Sequence, residues 1–142
     1  MREILFRGKR TDNGKWVEGE MLHDMQDRPH LYWKTPKELP IVFSNHAIVD
    51  PITLGQFTGL TDRNGVKVFE GDIVKHYFNC DIPSAYSVGQ IFWNAKKCRW
   101  SRTAPDCDYF PEVWSSTSKD YEVIGNIHDN PELVQEVVLC TK

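Results

Sequence analysis

The sequence predicts a mainly β protein of about eight short strands, and three observations support this fold class. Asn-Gly pairs occur at Asn13-Gly14 and Asn64-Gly65, and both residue types accept the backbone angles of tight hairpins. Short β-compatible runs flank these turns,. A well-formed helix start, with an Asn cap and a following Pro, occurs only at Asn130-Pro131-Glu132,. Short strands with regular turn signals favour a barrel or a sandwich.

The first half of the chain reads as a hairpin followed by a polar stretch. Arg2–Lys9 and Lys15–Leu22 are the predicted hairpin strands, and His23–Pro40 is polar and interrupted by prolines,. Further short strand candidates are His30–Trp33, Ile41–Phe43 and Ala47–Val49. We place a boundary near Asp50-Pro51, which divides the chain into an N-terminal β-rich lobe, 1–52, and a second part, 53–142. A single continuous domain stays open as the alternative.

The second half is organised around the stretch from Gly55 to Val74, which changes direction twice within twenty residues. Such a stretch suits the corner of a small β-barrel. Its predicted structural turn residues are Gly59, Asn64, Gly65, Gly71 and Asp72,. The predicted strands beyond them are Asp72–Tyr77, Tyr86–Trp93, Cys98–Ser101 and Tyr121–Ile127. Trp93 and Trp100 are expected to be cross-strand neighbours, and a short helix is expected at the C-terminus.

Composition restricts the function classes only in part. The 142 residues are 40% hydrophobic and 26% charged, with a formal net charge of −3. Such a charge balance argues weakly against a dedicated duplex-DNA binder, which usually has a basic surface. The first ten residues contain only three consecutive apolar residues, too few for a signal or membrane segment. We therefore expect a cytoplasmic protein with no membrane association.

The cysteines and the acidic residues do not form a recognisable metal or cofactor pattern. Cys80, Cys98, Cys107 and Cys140 are far apart and lack a C-x-x-C motif, so free thiols are expected. A zinc site that combines some of them with His76 stays open, although the spacing fits no compact ligand pattern. No metal, cofactor or catalytic residue is predicted. The five histidines have no regular spacing, and no role is assigned to them.

Several sequence strings resemble the YopX family of bacteriophage and prophage proteins. They follow the family's order from residue 1 to about residue 133. The strings are Met1-Arg2-Glu3-Ile4 with Phe6-Arg7-Gly8, Gly14-Lys15-Trp16-Val17-Glu18-Gly19, Gln56-Phe57-Thr58-Gly59-Leu60-Thr61-Asp62 with Asn64-Gly65, Phe69-Glu70-Gly71-Asp72-Ile73-Val74, and Tyr121-Glu122-Val123-Ile124-Gly125-Asn126-Ile127 with Asn130-Pro131-Glu132-Leu133. The resemblance implies a mainly β protein whose C-terminal part is similar to an SH3-type barrel. It also implies a phage or prophage origin, and hence the cytoplasm of a bacterial host. It brings no catalytic residues with it.

The densest basic cluster is the candidate binding site. Arg7, Lys9 and Arg10 lie in the first predicted strand and its end, with Lys15 across the hairpin and Trp16 beside it. A solvated hairpin face is the ordinary interpretation. The functional interpretation is a patch that contacts phosphates, because an aromatic ring beside basic residues suits single-stranded nucleic acid.

Two functions from different classes fit these observations. The first, which we favour, is a non-enzymatic binding module that holds a protein or a nucleic acid. The second is a small metal-dependent hydrolase or nuclease that uses acidic residues such as Glu70, Asp72 or Asp108. Nothing in the sequence completes a catalytic site around those carboxylates.

Self-association is the last expectation. Ile41–Phe43 and Ala47–Val49 are apolar and carry no Lys or Arg. An undefended strand edge is a template for pairing with another chain. The sequence therefore predicts a homo-oligomer.

Overall fold

A computed structural model describes residues 3–34, 45–77, 86–103 and 120–134. These residues form ten β-strands, and every pairing recorded between them is antiparallel. The strands are β1 Phe6–Lys9, β2 Trp16–His23, β3 Pro29–Trp33, β4 Asn45–Ile48, β5 Gly55–Thr61, β6 Lys67–Phe69, β7 Asp72–Tyr77, β8 Tyr86–Asn94, β9 Arg99–Arg102 and β10 Tyr121–Asn126. The prediction of a mainly β fold is confirmed. The ten strands outnumber the eight or so expected, and β3 overlaps the strand candidate at His30–Trp33.

The chain divides into two compact units, Met1–Phe57 and Thr58–Lys142. The division falls within β5, whose first residues pair with β1. In the first unit the strands lie in the order β4-β3-β2-β1. The β1–β2 hairpin closes as its turn residues predict, because Asn13 Oδ1 accepts a 2.9 Å hydrogen bond from the Lys15 backbone N–H and Gly14 has φ +69°.

One face of the first unit's sheet is apolar and buried. The strand register places Leu31 and Ala47 opposite each other on this face, and Val49 comes directly after the end of β4. Leu31 and Val49 are fully buried. A Cβ atom at Gly8 would lie 3.0 Å from Cβ of Val49, so glycine lets the β1 backbone pack closely against that side chain. The opposite face is therefore the one that carries the polar residues of these strands.

The second unit contains a four-stranded sheet in the order β10-β7-β8-β9. Its core is formed by fully buried side chains, with Trp100 and Val123 packed against them. These core residues are Val68, Val74, Ile91 and Tyr121. Trp93 and Trp100 are cross-strand neighbours, as predicted, with ring centroids 5.1 Å apart.

The turn between β5 and β6 lies in the same unit and is built around Asp62. Asp62 is only 3% exposed, and its carboxylate accepts hydrogen bonds from the backbone N–H groups of Asn64 and Val66. Gly65 closes the turn with φ +78°. The expected turn glycine Gly59 lies instead inside β5, where it has φ +90°.

Three finer expectations have separate outcomes. Among the described residues, the strand pairings do not close either sheet into a barrel, so the SH3-like barrel stays a prediction. The division at residues 52 and 53 also stays a prediction. A helical turn occupies residues 132–134, after the predicted Asn130 cap, and the rest of the expected C-terminal helix lies outside the described residues.

The predicted strand Ile41–Phe43 and three of the four cysteines, Cys80, Cys107 and Cys140, also lie outside the described residues. Cys98 is a free, exposed thiol.

Candidate functional site

The residues with functional chemistry in the first unit lie on the polar face of its sheet. The register pairs Lys9 with Trp16, Glu20 with Tyr32, and Tyr32 with His46, so these side chains project to the same side,. We call this surface the polar face. Its members are Arg7, Lys9, Trp16, Glu18, Glu20, His30, Tyr32 and His46.

Three of the predicted binding residues converge at one end of the polar face. The Arg7 guanidinium carbon lies 4.9 Å from the ring centroid of Trp16. The Lys9 ammonium nitrogen lies 5.4 Å from the same centroid. A cation over an indole ring is attracted by the ring's quadrupole, by about 0.5–1 kcal/mol at an exposed site. The two cations are therefore held beside the aromatic ring.

The other two predicted residues do not join this group. Arg10 alternates to the opposite side of β1, and its guanidinium donates two hydrogen bonds to the Asp12 carboxylate, at 2.9 and 2.6 Å. This pairing raises the pKa of Arg10 and lowers the pKa of Asp12. Lys15 is exposed in the turn before β2. The predicted residues that converge are thus Arg7, Lys9 and Trp16.

An aromatic group that the sequence did not predict occupies the far end of the polar face. The rings of Tyr32 and His46 stack with centroids 5.1 Å apart. His30 packs beside both, 6.2 Å from Tyr32 and 5.6 Å from His46. The Nδ1 atoms of the two histidines are 3.4 Å apart.

Asp24 fixes the position of the His30 ring. Asp24 Oδ2 lies 2.9 Å from His30 Nε2 and accepts a 2.7 Å hydrogen bond from Arg28 Nε. Its other oxygen accepts from the backbone N–H groups of Gln26 and Arg28. The pKa of Asp24 is held well below its ordinary value, first by the Arg28 backbone hydrogen bond and then by the Arg28 and His30 side chains. Asp24 is therefore an ionised acceptor at neutral pH.

Among the acidic residues considered for a hydrolase, Asp72 has a structural hydrogen bond. Asp72 is 1% exposed, and its Oδ2 accepts a 2.8 Å hydrogen bond from the Phe69 backbone N–H. This geometry makes the Asp72 carboxylate a turn element between β6 and β7. Asp108 lies outside the described residues. Within the ranges that the structure describes, no group of three or more His, Cys, Asp or Glu side chains is placed to hold a metal ion.

The second unit contains a buried arginine side chain, Arg102, that is hydrogen-bonded within the fold. Arg102 is 1% exposed, and one of its terminal nitrogens donates a 2.8 Å hydrogen bond to Ser87 Oγ. The other lies 3.4 Å from His76 Nδ1, and the His76 ring stacks on Tyr121 at 4.6 Å. Burial, followed by the Arg102 charge, lowers the pKa of His76. Neutral His76 therefore acts as an acceptor that helps to satisfy the buried guanidinium.

Tyr77, a half-buried tyrosine of the same unit, contacts two charged side chains. Tyr77 Oη donates a 2.6 Å hydrogen bond to Glu122 Oε2, and this bond raises the pKa of Tyr77. The Arg63 guanidinium carbon lies 4.7 Å from the Tyr77 ring centroid. The raised pKa keeps the phenol protonated, so it is a hydrogen-bond donor and not a general base.

Comparison with known protein families identifies the family of this chain. The family model described as YopX protein matches residues 5–135. The chain belongs to the YopX family. A crystal structure of protein EF1440 from Enterococcus faecalis is similar to this YopX-family chain, with 25% sequence identity and a TM-score of 0.59. The match covers 94% of this chain and 99% of that one. The comparison with curated proteins gave no match.

The polar face of this YopX-family chain contains residues that sequence analysis found and residues that it missed. Arg7, Lys9 and Trp16 are close in sequence, and a hairpin brings them together. His30 and His46 are brought together by the pairing of β3 with β4. No local sequence motif predicts that pairing. The sequence signal that was available is the two-residue spacing of His30 and Tyr32, which places both side chains on one face of a strand. Among the described residues, no helix is long and apolar enough to cross a membrane.

Proposed function

We propose that this YopX-family protein is a non-enzymatic binding module and that it holds single-stranded nucleic acid on the polar face. The observation that supports this most is the placement of the Arg7 and Lys9 cations over the Trp16 ring. Tyr32 and His46 supply a second aromatic surface on the same face. Stacking of a base on an aromatic side chain contributes about 1–3 kcal/mol, largely independent of sequence.

The charges of the polar face favour a single strand over a duplex. Glu18 and Glu20 are exposed and lie in β2 between the basic group and the aromatic group. These carboxylates repel the closely spaced phosphates of a duplex. A single strand can instead stack its bases on the rings while few of its phosphates meet cations. Two cations predict a shallow salt dependence, with a slope of log K against log salt of roughly −1.4.

Trp16→Ala is expected to weaken the binding of a fluorescent oligothymidine at least about fivefold, which is the loss of one stacked base. Arg7→Gln is expected to make the salt slope shallower by roughly 0.7, because one phosphate contact is lost. Fluorescence anisotropy at several salt concentrations measures both effects.

Two matched controls make this experiment specific. Lys15→Gln removes an exposed cation outside the Arg7, Lys9 and Trp16 group, and Trp93→Ala removes an exposed tryptophan of the second unit. Both variants should bind as the unmodified protein does. Absence of binding at low salt, or equal losses in Trp16→Ala and Trp93→Ala, would contradict the proposal.

We also propose the SH3-like barrel for residues 53–142 and a phage or prophage origin, with the bacterial host cytoplasm as the location. The support for the barrel is the antiparallel order β10-β7-β8-β9 together with the β5–β6 turn in the same unit. The support for the origin is the family resemblance of the motifs. The division between residues 52 and 53 belongs to the same proposal.

A homo-oligomer joined through β4 is a further proposal. Its support is the position of β4 at the end of the strand order, since edge strands pair readily with other chains. Ala47 and Val49 are buried within the first unit, so the contact would use the strand's backbone and not these apolar side chains.

Ile48→Lys is expected to shift the protein toward monomer, because a lysine on an edge strand opposes pairing with another chain. Sedimentation equilibrium over a wide concentration range measures the mass, and far-UV circular dichroism should show an unchanged β signal. A monomer mass at every concentration for the unmodified protein would refute the oligomer.

A further inference from the structure

The two histidines of the polar face have the spacing of metal ligands. Their Nδ1 atoms face each other at 3.4 Å, across the β3–β4 pair. In a tetrahedral zinc site with Zn–N bonds of about 2.0–2.1 Å, two nitrogens lie roughly 3.4 Å apart. The pair is therefore separated as two ligands of one ion would be.

The hydrogen bonding of His30 leaves the required nitrogen available. Asp24 Oδ2 lies 2.9 Å from His30 Nε2, and an ionised carboxylate can only accept a hydrogen bond. The proton of a neutral His30 ring is therefore on Nε2, and the Nδ1 lone pair points toward His46. A carboxylate that fixes the tautomer and orientation of a histidine in this way is the usual outer partner of a metal-binding imidazole.

Neighbouring residues hold Asp24 and the two histidine rings in position. Arg28 and the backbone N–H of Gln26 hold Asp24, and the His30 side chain is only 12% exposed. The stacked ring of Tyr32 restricts the rotation of His46. His46 itself is exposed, so an ion can reach the pair from solvent.

We propose that His30 and His46 bind one divalent transition-metal ion through their Nδ1 atoms, with Asp24 orienting His30. Imidazole ligands suit Zn²⁺, Ni²⁺ and Cu²⁺ and not the oxygen-preferring Mg²⁺ or Ca²⁺. In the part of the chain that the structure describes, no third His, Cys, Asp or Glu completes the set. The site binds metal whether or not the polar face binds nucleic acid.

The test is calorimetric titration of Zn²⁺ into tag-free, metal-free full-length protein without nucleic acid. We expect one Zn²⁺ per chain, with the binding heat abolished in His46→Gln. Asp24→Asn should lower the affinity by about 10–100-fold, the usual effect of losing an outer carboxylate partner. Mg²⁺ should give no heat.

His23→Gln is the matched control, because His23 is an exposed histidine of the same sheet, at the end of β2. It should bind Zn²⁺ as the unmodified protein does. His46 is exposed, so its replacement should leave the urea unfolding midpoint unchanged, and this variant decides the question even where His30→Gln lowers stability. Absence of stoichiometric Zn²⁺ binding, binding that survives His46→Gln, or an equal loss in His23→Gln would overturn the proposal. In that event the contact is a direct N–H···N hydrogen bond between the two rings.

Discussion

Asp62→Ala is expected to lower the free energy of unfolding by about 3 kcal/mol, because the buried Asp62 carboxylate is the acceptor of three backbone N–H groups,. Asp62 Oδ1 accepts from Asn64 N at 2.8 Å and Val66 N at 2.9 Å. Its Oδ2 accepts from Val123 N, also at 2.9 Å. One side chain thus supports the β5–β6 turn and joins it to β10. Urea unfolding monitored by tryptophan fluorescence measures the loss.

Two further variants distinguish the effect of losing the hydrogen bonds from the effect of removing a negative charge. Asp62→Asn keeps the shape of the side chain, and its amide oxygen can still accept hydrogen bonds from the Asn64 and Val66 backbone N–H groups. Its NH₂ group cannot accept from the Val123 backbone N–H, because both groups are donors. Its loss of stability should be intermediate. Glu70→Ala removes a nearby carboxylate for which we assign no such role, and should change stability by well under about 1 kcal/mol. Equal effects of Asp62→Ala and Glu70→Ala would contradict this account of the turn.

The sequence predicted the parts of the fold that depend on neighbouring residues. The bounds of Asp72–Tyr77 coincide with β7, because the turn at Gly71 and the apolar residues after it define that strand locally. The cross-strand pair Trp93 and Trp100 came from the same kind of local hairpin. Asp62 was noted only as part of a sequence string that resembles the YopX family. Its bond to Val123 spans 61 positions, and no local pattern reports such a contact.

The same distinction applies to the candidate site. Arg7 and Lys9 alternate along one strand, and a tight turn places Trp16 opposite Lys9, so composition near the hairpin was a sufficient signal. Arg10 was included with them although it has the opposite parity in the strand and pairs with Asp12. Distance along the sequence does not show which side of a strand a residue faces, whereas the two-residue period of a strand does.

His30 and His46 show why the rest of the site was not predicted. Sixteen positions separate them, and their proximity depends on which residues of β3 and β4 pair. A shift of one residue in that register would send one ring to the buried face. The sequence strings that resemble the YopX family do not include either residue, so the resemblance did not supply the missing information.

Gly89→Ala is expected to lower the free energy of unfolding by about 3 kcal/mol, at the upper end of the usual effect of overpacking a well-packed interior. A Cβ atom at Gly89 would lie 1.9 Å from the Thr103 carbonyl oxygen and 2.6 Å from Cγ of Arg102. Neither Thr103 nor Arg102 can move away easily to make room for the added methyl group. The Thr103 backbone N–H and hydroxyl are both hydrogen-bonded to Gln90, and Arg102 is buried.

Gly65→Ala is the matched comparison, because it makes the same substitution where there is open space. No atom lies within 4 Å of the position of its Cβ, so the expected loss of about 1 kcal/mol comes from the φ of +78° alone,. Urea unfolding of both variants separates the two causes. A steric origin requires Gly89→Ala to be clearly the more destabilising, whereas equal losses would mean that the chain after β9 does not cross Gly89 as closely as the structure places it.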